Sequence, residues 1–161
     1  MRGQKGFTLI ELLIVIAIIG IIVAIAIPSL LRSRMSANEA AAVGSLKTIA
    51  AGQTDYNNNS NPHSYTNDLA CLGSGTGAGG VSFIDPSLAS KIKQGYEFNM
   101  EWGADVTMPG GGVAYWAWSA TAWPIVYGST GIRSFYIDES GVVRGADIGG
   151  VEGTYVLPTN N

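Results

Sequence analysis

The sequence has little of what catalytic and metal centres are usually built from. It contains one histidine, His63, and one cysteine, Cys71, among its 161 residues. A lone imidazole in a polar stretch forms neither a catalytic triad nor a metal site, and a lone thiol closes no disulfide within the chain. We therefore predict no enzyme, no cofactor and no metal. A membrane-anchored periplasmic enzyme is only a distant alternative, because these residues supply no nucleophile–base pair.

Charged residues are also scarce, at 13% against 47% hydrophobic residues, and the formal net charge is −3. Nucleic-acid phosphates require clustered Lys and Arg, so we predict no specific nucleic-acid partner. Four acidic residues near the C-terminus carry the kind of oxygen that Ca²⁺ binds, but they lack the D-x-D-x-D-G spacing of a calcium loop. We expect no calcium site at these residues, which are Asp138, Glu139, Asp147 and Glu152.

What the sequence does have is a long apolar run near its start. The run covers 21 residues from Phe7 to Ile27, and only Thr8 and Glu11 interrupt it. As a helix it would be about 30 Å long, which is enough to cross the hydrocarbon core of a bilayer. Its residues are apolar on every face, so the helix has to lie in lipid or be surrounded by other helices.

Glu11 is the anomaly in this run. A carboxylate is unfavourable within such a helix, and two explanations stay open: Glu11 lies at the level of the lipid headgroups, or it has a cationic partner. Cleavage of the Gly6–Phe7 bond would create an α-amino group one turn before Glu11. Such an amine is the partner that a carboxylate in a low-dielectric site requires.

These residues carry a family resemblance. The stretch Lys5-Gly6-Phe7-Thr8-Leu9-Ile10-Glu11, followed by the apolar helix and Pro28, closely resembles the N-terminus of type IV prepilins. The resemblance implies that a basic leader, residues 1–6, is cut after Gly6 by a prepilin peptidase and that Phe7 is then N-methylated. It also implies that Glu11 guides subunits into a helical filament. The pseudopilins of type II secretion systems share this motif, so they stay an alternative.

The same resemblance implies where the protein acts and with what. The expected precursor is a single-pass inner-membrane protein with a cytoplasmic N-terminus, and the assembled form is an extracellular pilus. The expected partners are further copies of the chain, the peptidase and N-methyltransferase, the inner-membrane assembly platform and, before assembly, the membrane. The expected function is that of a structural subunit of a fibre used for adhesion, twitching motility or DNA uptake.

Two residues are expected to weaken the apolar helix, which is assigned to residues 7–28. Pro28 cannot donate an i→i−4 hydrogen bond and clashes with the preceding turn, so it predicts a kink. Gly20 is a second weak point, at about 1 kcal/mol relative to Ala. In filaments of the resembling family the stretch between such a Gly and Pro is often unwound, which implies the same for Gly20–Pro28.

Beyond the proline, residues 29–59 are predicted to continue as an amphipathic helix, because good helix formers recur there until a run of Asn, Ser and Pro ends them. The residues of its apolar stripe are Val43, Leu46, Ala50 and Tyr56. A helix with one apolar stripe is expected to lie on a sheet.

Residues 60–95 are predicted to be a connecting region. Their glycine-rich part, 72–80, superficially fits a dinucleotide-binding fingerprint, but that fingerprint needs a strand before it and a helix after it. We therefore predict a flexible loop there. A short helix from Asp85 to Lys93 is expected to follow, with Asp85 as its N-cap.

After Gly95 the hydrophobic period changes to two, which predicts β-strands. Trp116 and Trp118 are expected on one face of a strand, as core or interface residues. The predicted strands are Tyr96–Trp102, Val113–Ser119, Arg133–Ile137 and Val142–Arg144, the last two joined by a tight turn.

The sequence as a whole predicts an α+β fold. A long N-terminal helix, kinked at Pro28, would pack on a small antiparallel sheet of three or four strands. The globular head would comprise residues 60–161, with the sheet at 96–145 and a C-terminal tail at 146–161.

Overall fold

The computed structural model describes residues 7–102, 105–107 and 113–150. It has three helices and seven strands within these ranges. The helices are α1 (Leu9–Asn59), α2 (Leu69–Ser74) and α3 (Pro86–Ala89), and the strands are β1 (Ile92–Lys93), β2 (Tyr96–Trp102), β3 (Asp105–Thr107), β4 (Val113–Tyr115), β5 (Trp118–Pro124), β6 (Ser134–Asp138) and β7 (Arg144–Ala146). The predicted leader and most of the predicted tail lie outside the described residues.

The chain divides into two compact units, Met1–Arg34 and Met35–Asn161. The described part of the first unit is the apolar half of α1, and all of its residues from Phe7 to Arg34 are exposed. An 18-residue window of α1 has a mean hydropathy of 3.2, so the helix is long and apolar enough to cross a membrane. The helix continues through Pro28. The kink predicted there stays a prediction.

In the second unit, α1 buries one face, as its amphipathic pattern predicts. The stripe is turned slightly from the predicted one, because Val43 and Ala50 are only partly buried. Gln53 is buried on this face and is satisfied by the backbone of Thr66, whose N–H donates to Gln53 Oε1 at 3.1 Å. The apolar residues that α1 buries are Ala42, Leu46, Ile49 and Tyr56.

The main sheet is antiparallel and has five strands in the order β1-β2-β5-β6-β7. The α+β fold with a long N-terminal helix is thus confirmed, while the expected three or four strands were too few. The additional strands are short, and β1 has only two residues. The strand predicted at Tyr96–Trp102 is confirmed as β2, in which Tyr96, Phe98 and Met100 are buried and the residues between them are half-buried.

The prediction of one continuous strand at Val113–Ser119 was wrong. The chain breaks there into β4, which pairs back onto β3, and β5, which pairs with β2. An apolar run conceals this break, because both pieces are rich in residues that favour strands. The break also separates the two tryptophans: Trp118 is 5% exposed and packs against Tyr65, whereas Trp116 precedes β5 and is 60% exposed.

The hairpin near the C-terminus forms as predicted, but its second strand is displaced. The Gly141 N–H donates to the Asp138 carbonyl at 2.9 Å, and Gly141 takes the left-handed conformation with φ 71°. The second strand is Arg144–Ala146 rather than Val142–Arg144, because pairing starts only where Arg144 lies opposite Tyr136.

The glycine-rich stretch, residues 72–80, is only in part the loop that we predicted, because residues 75–80 form turns and the residues before them are helical. It begins inside α2, whose N-cap Asp68 accepts a hydrogen bond from the Ala70 N–H at 2.9 Å, and Gly75 ends the helix at φ 68°. Leu69 and Leu72 of α2 are fully buried. The burial of these leucines places α2 in the hydrophobic core.

The helix predicted from Asp85 to Lys93 is shorter than expected. Asp85 is its N-cap, as predicted, and accepts a hydrogen bond from the Leu88 N–H at 3.1 Å. The helix ends at Ala89, since Lys91 has a positive φ of 70°, and Lys93 already belongs to β1. An ion pair between Lys93 Nζ and Asp85 at 2.7 Å connects the two elements.

Candidate processing and assembly site

The N-terminus of α1 is closed by a reciprocal pair of side chains, Thr8 and Glu11. The Thr8 N–H and the Thr8 hydroxyl both donate to Glu11 Oε2, at 2.8 and 2.7 Å. The Glu11 N–H donates in return to Thr8 Oγ1 at 3.3 Å. Since α1 begins at Leu9, Thr8 is the N-cap and Glu11 the third helical residue, and the two form a capping box.

The capping box is a feature that our sequence analysis missed. Its signal is visible in the sequence, because a Thr stands three residues before a Glu at the start of an apolar run. Both bonds to the carboxylate end on Oε2, so Glu11 Oε1 accepts no hydrogen bond from any residue that the structure describes. One oxygen of Glu11 is therefore open to a further donor.

Phe7 and Thr8 precede the helix, and Phe7 is among the most exposed residues, at 89%. The predicted scissile bond lies directly before Phe7, and Gly6 on its other side lies outside the described residues. The structure thus places Phe7, the predicted N-terminal residue of the mature chain, directly before the capping box. Cleavage and methylation themselves stay predictions.

Gly20 and Pro28, the other two predicted assembly residues, both lie within α1. A Cβ atom added at Gly20 would meet nothing within 4 Å. The surface of α1 is thus open at Gly20, and a neighbouring chain could approach its backbone closely. The predicted unwinding of the helix between Gly20 and Pro28 stays a prediction.

A second acidic residue of α1, Glu39, connects the helix to the segment between β5 and β6. Its side chain is 11% exposed. Its Oε1 accepts hydrogen bonds from the N–H groups of Ile132 and Arg133 at 3.1 and 3.2 Å. Its Oε2 accepts from Arg133 Nε at 2.8 Å and pairs with Arg133 Nη2 at 2.8 Å. We call this group, Glu39 with Ile132 and Arg133, the Glu39 clamp.

The Glu39 clamp holds its carboxylate in the charged form. Burial by itself raises the pKa of Glu39, but the hydrogen bonds from Ile132 and Arg133 outweigh it, and the net pKa is below its ordinary value. Four donors on one carboxylate fix the segment between β5 and β6 on the helix. No local pattern in the sequence indicates the clamp, because Glu39 and Arg133 are 94 positions apart.

The residues considered for catalysis or metal binding are not brought together. Within the described ranges there is no group of three His, Cys, Asp or Glu side chains that could hold a metal ion. His63 is exposed and its Nδ1 lies 2.8 Å from the Asn57 carbonyl oxygen, while Cys71 is half-buried on α2.

Two of the acidic residues considered for Ca²⁺ bind other groups of the chain. Asp138 pairs with Arg144 at 2.8 Å, and Asp147 accepts from the Tyr127 hydroxyl at 3.0 Å. The third, Glu139, is exposed in the hairpin turn. Glu152 lies outside the described residues.

Comparison with known proteins bears on the same N-terminal segment. Residues 1–27 match the family model of the prokaryotic N-terminal methylation motif. The chain is 49% identical over 72 residues to the type IV wide pilus major component PilA4 of Thermus thermophilus, which covers 45% of this chain and 53% of the relative. It is 43% identical over 53 residues to the type IV major pilin protein PilA of Myxococcus xanthus, covering 33% of this chain and 24% of the relative.

A secretion protein matches as well. The chain is 40% identical over 55 residues to the type II secretion system core protein G of Pseudomonas aeruginosa, covering 34% of this chain and 39% of the relative. The match with the Thermus protein thus spans about half of that protein's length, and the matches with the Myxococcus and Pseudomonas proteins span less. No solved structure matches the chain significantly.

Proposed function

We propose that this chain, whose methylation motif and pilin matches support a type IV pilin, polymerises through α1 into an extracellular pilus. The observation that carries the proposal is that every side chain from Phe7 to Arg34, in the first unit, is exposed. A soluble domain does not leave a contiguous apolar surface of this size uncovered. Lipid covers it in the precursor, and the helices of neighbouring subunits cover it in the fibre.

Glu11 supplies the register of this polymer. Cleavage after Gly6 leaves an amine on Phe7, and the open Oε1 of Glu11 is positioned to accept a hydrogen bond from such a group on a neighbouring chain. Because a paired buried charge contributes specificity more reliably than net stability, the pair selects one stagger of the helices.

The second unit also supports polymerisation through the apolar half of α1. It has its own hydrophobic core, in which buried residues of α1 join those of β2, β5 and β6. That core is complete without the apolar half of α1, so the head stays folded while the first unit exchanges lipid for protein neighbours. The polar, folded unit would face the outside of the fibre.

The remaining elements of the proposal follow from the motif. A prepilin peptidase cuts between Gly6 and Phe7, a methyltransferase modifies Phe7, and an inner-membrane platform adds the subunit to the fibre. The precursor spans the inner membrane with its N-terminus in the cytoplasm. Adhesion, twitching motility and DNA uptake are the uses that such a fibre would serve.

The second candidate function is that of a pseudopilin in a type II secretion system. The match to core protein G favours it specifically. A pseudopilin would polymerise through the same apolar helix, but its loss would abolish secretion of folded proteins without removing surface fibres.

The test compares cells with and without the gene. Electron microscopy and the sheared surface fraction should show long fibres containing this chain in wild-type cells and none in the deletion strain. Complementation with the wild-type gene should restore them. Fibres that persist in the deletion strain, together with a loss of protein secretion, would contradict the pilus and favour the pseudopilin.

A further inference from the structure

A partly open cavity of about 390 Å³ lies between α1 and the β6–β7 hairpin. Small-molecule sites in proteins have volumes of about 300–1,000 Å³, so the cavity is large enough for a small organic ligand. The function proposed above does not use it. Residues of both elements line it, among them Val43, Lys47, Arg133, Phe135, Val143 and Gly145.

The cavity has a surplus of positive charge. Lys47 and Arg133 both line it, and none of the described residues that line it is acidic. Arg133 is paired with Glu39, whereas Lys47 is exposed and has no acidic partner in the part of the chain that the structure describes. Two cations and one carboxylate leave one positive charge uncompensated, although the whole chain has a formal net charge of −3. This local charge favours an anionic ligand.

The acidic residues of the hairpin do not compensate this charge. Asp138 is paired with Arg144 at 2.8 Å. Glu139 is exposed in the turn and is not among the residues that line the cavity. On α1, side chains three or four positions away are the neighbours that could pair with Lys47. They are all uncharged, being Val43, Gly44, Ala50 and Ala51.

Arg133 is held in position with part of its guanidinium free. Its Nε and Nη2 are paired with Glu39, each at 2.8 Å, and its Cζ lies 5.4 Å from the centre of the Phe135 ring. The ring is itself enclosed, because a Cβ atom at Gly145 would come within 2.7 Å of Phe135 Cδ1. The Arg133 side chain is still 57% exposed, and no described residue accepts a hydrogen bond from its Nη1. This nitrogen is therefore pre-organised for a ligand.

The donors that remain favour a phosphate over a carboxylate. A carboxylate is bound best by two parallel N–H groups of one guanidinium, and Glu39 already occupies that edge of Arg133. What remains is Nη1 of Arg133 and the ammonium of Lys47, which come from different elements and can approach different oxygens of a tetrahedral anion. A phosphate monoester carries up to about two negative charges at pH 7. The walls also offer apolar surface to an organic group, from Val43, Phe135 and Val143.

We propose that this cavity binds a small organic phosphate, with Lys47 and Arg133 as the two donors to the phosphate. Lys47 Nζ and Arg133 Nη1 donate to phosphate oxygens, and the organic group packs against Val43 and Phe135. Free inorganic phosphate has the same charged group but buries no apolar surface, so it binds more weakly. The site lies within the second unit and does not depend on the proposed polymerisation through α1.

The first test is calorimetric titration of the detergent-solubilised full chain in a phosphate-free buffer. Phenyl phosphate should bind about tenfold more tightly than inorganic phosphate, which lacks the organic group, and than benzoate, which has a carboxylate in place of the phosphate. Equal affinities for phenyl phosphate and benzoate would overturn the assignment to phosphate. Inorganic phosphate binding as tightly as phenyl phosphate would overturn the role of the apolar walls, and no binding of phenyl phosphate would overturn the site.

The same titration with variants locates the ligand. Lys47→Gln should weaken the binding of phenyl phosphate about tenfold, because a charge-assisted hydrogen bond is lost, and Lys47→Arg should retain most of the affinity. Lys91→Gln is the matched control, since Lys91 is also exposed but lies next to β1, at the opposite edge of the sheet from β7. Equal affinities of the wild type and Lys47→Gln would overturn the proposal.

The second test needs no variant. Lys47 and Lys91 are both exposed, so an N-hydroxysuccinimide ester should acylate both in the free chain. Saturating phenyl phosphate should slow the acylation of Lys47 severalfold and leave that of Lys91 unchanged, as measured by peptide mass spectrometry. Acylation of Lys47 at the same rate with and without phenyl phosphate would overturn the proposal.

Discussion

At the scale of the residue, Glu11 combines two roles in one carboxylate. Its Oε2 completes the capping box with Thr8, which ties up N–H groups that every helix leaves unpaired at its start. Its Oε1 is left for a partner outside the described chain. The two hydrogen bonds from Thr8 partly satisfy the carboxylate, which would lower its cost in the proposed membrane precursor and leave one oxygen for the proposed neighbour.

The first prediction separates these roles with two substitutions. Glu11→Leu removes both the cap and the charge, while Glu11→Gln retains a cap, because Gln also serves in a capping box. We expect both variants to reach the inner-membrane fraction at wild-type levels or above, and both to be depleted in sheared fibres by about tenfold or more. Quantifying the chain in the two fractions measures this. Normal fibre yield from Glu11→Gln would mean that the cap, and not the charge, is what assembly needs.

Glu39 gives the second prediction at this scale. Replacing Glu39 with Ala leaves the N–H groups of Ile132 and Arg133 without their acceptor, so we expect the head to lose about 1–3 kcal/mol of unfolding free energy. Thermal unfolding of the detergent-solubilised chain measures the loss. The same substitution at Glu139, which is exposed in a turn, should change the unfolding temperature little. A similar loss from both variants would contradict the importance of the clamp.

The clamp also predicts a pH dependence. The pKa of Glu39 is lower in the folded chain than its ordinary value of 4.5, so the unfolded chain takes up the proton first. The stabilisation is therefore fully present above about pH 4.5 and is lost as the pH falls through the folded pKa. The unfolding temperature of Glu39→Gln should depend less on pH over that acidic range than that of the wild type. The unfolding temperature of Glu139→Gln should change with pH as that of the wild type does. A variant curve parallel to that of the wild type would show that Glu39 does not contribute.

At the scale of the element, α1 is one helix with two kinds of surface. Its first half is exposed on all sides, and its second half buries a single stripe that includes Leu46 and Ile49. The change in surface comes near Met35, where the second unit begins. Pro28 lies on the apolar side of this change, so it alters the part of the helix that the polymer would use.

The third prediction concerns Pro28. Pro28→Ala restores a backbone donor and removes a ring clash, a change of about 3 kcal/mol in favour of a regular helix. We expect fibres of this variant to assemble less readily or to extend less under load, because the Gly20–Pro28 stretch resists unwinding. Fibre yield and force–extension curves measure this. A matched Ser29→Ala variant, which adds no backbone donor and removes no apolar side chain, should behave like the wild type, and identical curves for all three chains would remove any mechanical role of Pro28.

At the scale of the whole molecule, we predict that processing decides which chain enters the proposed fibre. The fourth prediction is that the mature protein begins with an N-methylated Phe7 and contains 161 − 6 = 155 residues. Gly6→Val should block cleavage, because a β-branched side chain would crowd a peptidase site shaped for glycine. Intact-mass spectrometry of sheared fibres measures the mature form, and Lys5→Arg is the control that keeps the leader basic. Fibres that retain residues 1–6 would contradict the prediction.

The proposed function depends on a change in what surrounds the apolar half of α1. The apolar half of α1 is covered by lipid in the proposed precursor and by other helices in the proposed fibre. Both environments keep its apolar side chains out of water, which the hydrophobic effect favours. The head keeps its own core in both states. In this proposal the stagger of the subunits comes from the polar groups at the start of α1, namely the Phe7 amine of one chain with Glu11 of another.

Features that depend only on residues close together in the chain could be predicted from the sequence. The apolar run and the carboxylate inside it need no tertiary information, because length and composition alone decide whether a helix can span a bilayer. The strand at Tyr96–Trp102 was readable for the same reason, since alternate burial follows directly from a period of two. The capping box of Thr8 and Glu11 is equally local, because a Thr three residues before a Glu at a helix start is visible in the sequence.

Features that depend on the choice of a distant partner were decided by the tertiary structure. The Glu39 clamp joins residues 94 positions apart, and no periodicity along α1 reveals which segment supplies its donors. The break before Trp118 arises because β5 pairs with β2 while β4 turns back onto β3. A run of strand-forming residues is compatible with either pairing, and only the competition between registers in the folded sheet selects one. That competition also leaves Trp116 exposed, although Trp118 two residues later is buried.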